Sequence, residues 1–189
     1  MFFSDPYRIM EENSKQVKGH YMTTSSTNPN VEAIRLSVHR SCTELIQLID
    51  GPLAALEPDK LYKSPAESEW SIMQNLAHII EMMPYWANEI EKLVANPGQN
   101  FGRTAQHEGR LRAINEHGRD SLEQIKAALP GSYARLEDVL GSLKDSDLEL
   151  TGQHSKFGEK SLEWFIEDFV TGHLINHLEQ IKGCLAAVE

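Results

Sequence analysis

Four stretches of this chain place apolar residues at steps of three and four, and no stretch alternates polar and apolar residues long enough to make a convincing strand. The clearest is Ile72, Leu76, Ile79, Met83, Trp86, Ile90 and Leu93. At 3.6 residues per turn such a row lies on one face of a helix, so the face must be covered by another element. Ser71 is the expected N-cap, and Asn96-Pro97-Gly98 the expected stop. Pro84 falls inside the row, which predicts a kink, because an internal proline costs about 3 kcal/mol.

Ile34, Val38, Cys42, Leu45 and Ile49 form an earlier row that should end near Gly51-Pro52. Leu111, Ile114, Leu122, Ile125 and Leu129 form a third, continued past Pro130-Gly131 by Tyr133, Leu136, Leu140 and Leu143; this is either one long bent helix or two short ones. The last row, capped by Ser161, is Leu162, Ile166, Phe169, His173, His177, Ile181 and Cys184. Four one-sided helices with short to medium connections predict an all-α, four-helix bundle.

The bundle is expected over 31–189, behind an N-terminal extension or linker over 1–30 that ends in a polar run, Thr23 to Asn30. A short helix over 6–19 is possible there, and Met22 competes with Met1 as the native start. The 18 Lys and Arg against 28 Asp and Glu give a net charge of −10, which argues against a nucleic-acid or anionic-membrane partner, since both need clustered positive charge. No apolar run approaches the roughly 18 residues of a membrane span, and the N-terminus lacks the apolar region of a signal peptide. The 2 cysteines are too few for a disulfide framework, so a reducing cytoplasm is the expected compartment.

Two core-facing positions of the last row are histidines. His173 and His177, four apart, present both imidazoles on one side of the helix, and buried imidazoles need partners. An isolated pair of this kind is more often a satisfied core pair than a metal site. His78, in the row Asn75, His78, Met82, Tyr85 at the margin of the second helix's apolar face, can supply a third imidazole. Three histidines from two helices would leave open positions on a metal, as catalytic rather than structural sites do.

Trp70-Ser71, Leu76, His78-Ile79, then Phe157-Gly158, and finally His173-Leu174, His177-Leu178 and Gln180-Ile181 carry a more specific signal. In order and spacing they resemble the DinB/YfiT-like family of metalloenzymes, from about Val31 to Val188. The resemblance implies an up-down-down-up four-helix bundle with His78, His173 and His177 as ligands of a divalent metal. Zinc, nickel, iron and cobalt all suit three imidazoles and water. It further implies a low-molecular-weight thiol cosubstrate, whose thiolate at the open metal position attacks a small-molecule electrophile, and a homodimer.

Glu81, one turn after His78, can bind the metal, act as a base, or be a solvated helix carboxylate. Asn75 and Gln180 can orient water or an imidazole, and Glu81 and Gln180 are the catalytic candidates. Gly172 beside His173 points to a close helix approach. Met82, Met83, Tyr85 and Trp86 line either a substrate pocket or the core, and Cys184 is expected to be a small core residue. His20, His39, His107, His117 and His154 have no ligand pairing, and His154, in the loop before Phe157-Gly158, is the first of them to consider should the site have a fourth ligand. The competing functional reading is a noncatalytic helical module of the same family, acting in a stress response through dimerisation or ligand binding. A carboxylate-bridged di-iron bundle is disfavoured, because the required Glu-x-x-His motifs are missing.

Overall fold

The computed structural model describes residues 30–188, so the N-terminal expectations (the extension up to residue 29, the helix over 6–19, and Met1 against Met22) lie outside the described residues. Asn30 opens the first helix, α1 (Val31–Leu48), its side chain accepting the Ala33 N–H. The apolar row from Ile34 to Ile49 is buried throughout. The stop expected at Gly51-Pro52 comes later, because the chain stays helical through a π turn over Ile49–Leu53. In a regular α turn the Pro52 ring would press on the Leu48 carbonyl, and the wider turn relieves that contact.

Helix α2 (Ile72–Ala95) starts on a capping box in which Ser71 Oγ accepts the Gln74 N–H and Gln74 Oε1 accepts the Ser71 N–H. All seven residues of its predicted row are buried. Each such side chain contributes roughly 1.5–3 kcal/mol on burial, which outweighs the roughly 3 kcal/mol of one internal proline. The helix accordingly runs through Pro84 as one element and ends at Asn96, as the sequence predicts.

The third apolar row resolves differently from either expected form. It breaks before its midpoint, giving α3 (Glu108–Asn115) and α4 (Leu122–Ser142), and α4 continues through Pro130-Gly131. The break lies in the His117–Arg119 turn, and Ser121 then opens α4 with a second capping box to Gln124.

A hairpin that the sequence reading did not anticipate follows. β1 (Thr151–His154) pairs antiparallel with β2 (Gly158–Ser161), Thr151 opposite Ser161 and His154 opposite Gly158. Four-residue strands are too short to show alternation. Gly152 lets this hairpin lie flat on the bundle, since a Cβ there would stand 2.9 Å from Leu93 Cδ1 and 3.2 Å from the Gln99 carbonyl.

Ser161 caps the final rod, its Oγ accepting the Trp164 N–H. The rod is α5 (Leu162–Ile166), a π turn (Glu167–Thr171) and α6 (Gly172–Val188). Helix α1 packs mainly against α4 and α6, and α2 against α4, then α3 and α6. Consecutive helices α1 and α2 are therefore not main packing partners, and the connection over 54–71 carries the chain between them. This arrangement brings the first two turns of α2 against the start of α6.

Candidate metal centre

His78 projects from the second turn of α2, and His173 and His177 from the first two turns of α6. One nitrogen of each ring lies within 4.8 Å of the others. His78 and His177 are buried and His173 is half-buried. The predicted constellation thus comes together in space.

Each ring also carries a buried nitrogen with no hydrogen-bond partner: His78 Nδ1, His173 Nδ1 and His177 Nε2. Buried nitrogens left in this way are costly unless something satisfies them. All three imidazoles are held neutral. Burial pushes His78 and His173 well below the usual histidine range, helped by neighbouring histidines and by the positive charges of Arg103 and Arg110. Burial likewise lowers His177 to about 4, against a hydrogen bond to the Gln180 side chain that raises it. Neutral imidazole is the form that binds metal, so the donor set fits a divalent ion.

Asn75 fixes His177. Its Nδ2 donates to the Ser71 carbonyl at 2.9 Å and the Trp70 carbonyl at 3.4 Å, so its Oδ1 faces His177 Nδ1 at 2.8 Å. A carboxamide oxygen only accepts, so the His177 proton sits on Nδ1 and the Nε2 lone pair is left for a ligand. Trp70 stacks parallel to His177 at 5.7 Å and meets His78 edge-on at 5.2 Å. The Arg110 guanidinium lies 4.9 Å from the Trp70 ring centre.

Glu81 is not the solvated carboxylate of the plain reading. Arg103 grips both its oxygens, Nη1 to Oε1 at 2.5 Å and Nη2 to Oε2 at 2.6 Å, and Oε2 stands 3.5 Å from His78 Nδ1. Gln180, the other catalytic candidate, is exposed and reaches His177 through its side chain.

Sequence reasoning missed Arg103 and Arg110. Both lie in or beside the connection after α2, which shows no periodicity, and no spacing rule marks a cation destined for burial.

Several other expectations find their outcome here. Met82, Met83 and Trp86 are core, whereas Tyr85 is half-buried beneath Arg103, whose guanidinium lies 3.9 Å from its ring centre. His154 is not a fourth ligand: it stacks on Phe157 and Phe169, and its Nδ1 accepts the backbone N–H groups of Lys156 and Phe157. Cys184 is buried and donates to the Trp70 carbonyl, and burial raises its thiol pKa, as suits a core residue. Gly172 does mark a close approach, but within its own rod. A Cβ there would stand 2.8 Å from the Glu167 carbonyl that closes the π turn.

The DinB superfamily model matches residues 42–181, a span that includes all three histidines. The chain belongs to the DinB superfamily. Uncharacterized protein YuaE of Bacillus subtilis (strain 168) is 28% identical over 149 residues, spanning 72% of this chain and 90% of YuaE. Among solved structures, YfiT of Bacillus subtilis aligns with a TM-score of 0.68 at 12% identity, over 86% of this chain and 90% of YfiT. YfiT is described as a probable metal-dependent hydrolase with an unusual four-helix bundle topology. An uncharacterised protein of Clostridium difficile 630 aligns with a TM-score of 0.61 at 14% identity, over 83% of this chain and 96% of its own. At these identities the likeness is one of fold. Among the described residues no helix is long and apolar enough to cross a membrane.

Proposed function

We propose that this DinB superfamily member is a metal-dependent enzyme, with a divalent ion held by His78, His173 and His177, that transfers a low-molecular-weight thiol to a small electrophilic substrate. The observation that carries the reading is the convergence of three neutral imidazoles, two buried and one half-buried, each with a buried nitrogen that no hydrogen bond satisfies. A divalent ion bound there supplies positive charge that lowers the pKa of a thiol or water at an open position.

What the protein itself offers favours the thiol over water. Arg103 occupies both oxygens of Glu81, so this carboxylate is a poor proton acceptor. A thiol, with an unperturbed pKa of about 8.5, needs far less help to ionise than water. Arg103 and Arg110 add positive charge that favours an anionic nucleophile. Both cysteines of the chain are buried and free, in keeping with work in a reducing cytoplasm. Hydrolysis is the second reading, favoured by the fold shared with YfiT, and it would require a proton acceptor other than Glu81.

Elemental analysis of untagged protein beside the His173→Ala variant tests the metal. About one equivalent in the wild type and far less in the variant is expected, and persistently sub-stoichiometric metal after reconstitution would refute the reading. A panel of low-molecular-weight thiols added to the cobalt-loaded protein tests the cosubstrate. A shifted visible spectrum supports thiol transfer, whereas no change with any thiol turns the assignment toward hydrolysis or a noncatalytic holder.

A further inference from the structure

We infer that Arg103 is a positioning residue for the metal centre, holding the Glu81 carboxylate so that it orients His78, and that Glu81 is neither a fourth ligand nor a base. The inference rests on the metal reading above.

His177 has a partner that sets its tautomer, whereas His78 Nδ1 is buried and has no hydrogen bond. Glu81 Oε2 lies 3.5 Å from that atom, one turn along α2. This is slightly long for a hydrogen bond and close enough to become one with a small rotation of the imidazole. A carboxylate in this place fixes the ring and raises the basicity of the other nitrogen, as the outer partners of metal-binding histidines generally do.

The carboxylate is itself held from the other side. The Arg103 side chain is only 4% exposed, forks onto both Glu81 oxygens, lies over the Tyr85 ring and touches His107 Nδ1 at 3.3 Å. To ligate a metal, Glu81 would have to break that fork in a setting where a lone buried guanidinium is expensive.

Arg103 is delivered by a connection that has little freedom. The Phe101 N–H donates to the Gln153 carbonyl, and the Gly102 N–H to Glu89 Oε2 at 2.9 Å. Gly102 has φ +95°, and a Cβ there would stand 2.8 Å from His154 Cδ2, so no other residue fits. The hairpin through His154 and α2 through Glu89 therefore fix where the Arg103 fork can sit.

Cobalt binding to the metal-free full-length protein tests this, read by competition with a chromophoric chelator and by the visible absorption of the bound ion. Glu81→Gln and Arg103→Gln should each weaken cobalt binding about 10–100-fold, with band intensities showing an unchanged coordination number. Arg103→Lys should fall between Arg103→Gln and wild type, and the Glu81→Gln/Arg103→Gln double variant should be little weaker than the worse single one. Glu89→Gln loosens the same connection while leaving both Glu81 and Arg103 in place, and should weaken binding less than Arg103→Gln does.

Wild-type affinity in a folded Arg103→Gln protein overturns the inference. So does a changed coordination number in Glu81→Gln, which would make Glu81 a ligand, or an equal loss in Glu89→Gln, which would make the effect one of connection closure. Should Arg103→Gln fail to fold, Arg103→Lys and Glu81→Gln decide the matter. A wild type that binds no cobalt overturns the metal reading along with this one, whereas wild-type binding with unaffected variants overturns this one alone.

Discussion

Replacing Asn75 with Ala should separate the stability of the bundle from its hold on the metal. Asn75 is 1% exposed and makes three side-chain hydrogen bonds, but their losses are unequal. The Ser71 carbonyl still accepts the backbone N–H of residue 75, and the Trp70 carbonyl still accepts from Cys184 Sγ. Only His177 Nδ1 is stranded. A buried donor left without a partner costs about 1–3 kcal/mol, and the small cavity brings the total to roughly 2–3 kcal/mol. For a domain of this size that lowers Tm by about 4–12 °C.

The same change frees the His177 proton to move between its nitrogens, so metal affinity should fall about 10–100-fold. Thermal unfolding in the presence of a chelator reads the first effect, and zinc titration calorimetry of the folded variant reads the second. Asn75→Asp keeps an acceptor for Nδ1 and should retain metal binding better than Asn75→Ala. An Asn75→Ala protein with lowered Tm and wild-type zinc affinity would refute the tautomer argument.

Two further outcomes follow from the same geometry. Gly172→Ala gains about 1 kcal/mol of helix propensity but sets a Cβ 2.8 Å from the Glu167 carbonyl. That clash is with backbone and should win, giving a net loss of about 1–2 kcal/mol in urea unfolding; a more stable variant would show that the π turn yields freely. In metal-free protein the folded pKa of His177, about 4, lies below the unfolded value near 6.5, and His78, His173 and His154 are shifted the same way. The unfolded chain therefore binds more protons, so the stability that these groups contribute is complete above pH 6.5 and drains away as pH falls toward 4. Urea midpoints across that range in chelator should fall with acidity, and a flat profile would contradict the burial of neutral imidazoles.

Much of the bundle and the clustering of the three histidines was legible because both write themselves into spacing. The row from Ile72 to Leu93 and that from Leu162 to Cys184 repeat a helical step, and histidines within or beside such a row announce their direction. Ser71 and Ser161 marked true helix starts, since a capping oxygen has a local job that any fold respects. What stayed hidden depends on contacts far apart in sequence. Arg103 matters through Glu81, 22 residues earlier in the chain, and nothing near either residue signals the pairing. The hairpin was missed because four-residue strands carry no period, and its seat on Leu93 and Gln99 is tertiary. Pro52 read as a stop, Pro84 as a kink and Pro130 as a bend or a break, yet all lie inside helical segments, because burial on flanking turns outweighs one missing hydrogen bond.

The turn at Glu167–Thr171 carries one residue more than a regular helix would use there, and one residue is worth about 100° of rotation. Before it Phe165, and within it Phe169, pack against Phe101 and His154; after it, His173 and His177 face His78. Deleting a single residue from this turn would act less as a shortening than as a twist, swinging both imidazoles off the site while the upper half of the rod stayed seated. The aim of the histidine face is thus set by a count of residues rather than by their identity. A one-residue gap in an alignment at this point would identify relatives that keep the histidines in their sequence but turn them elsewhere.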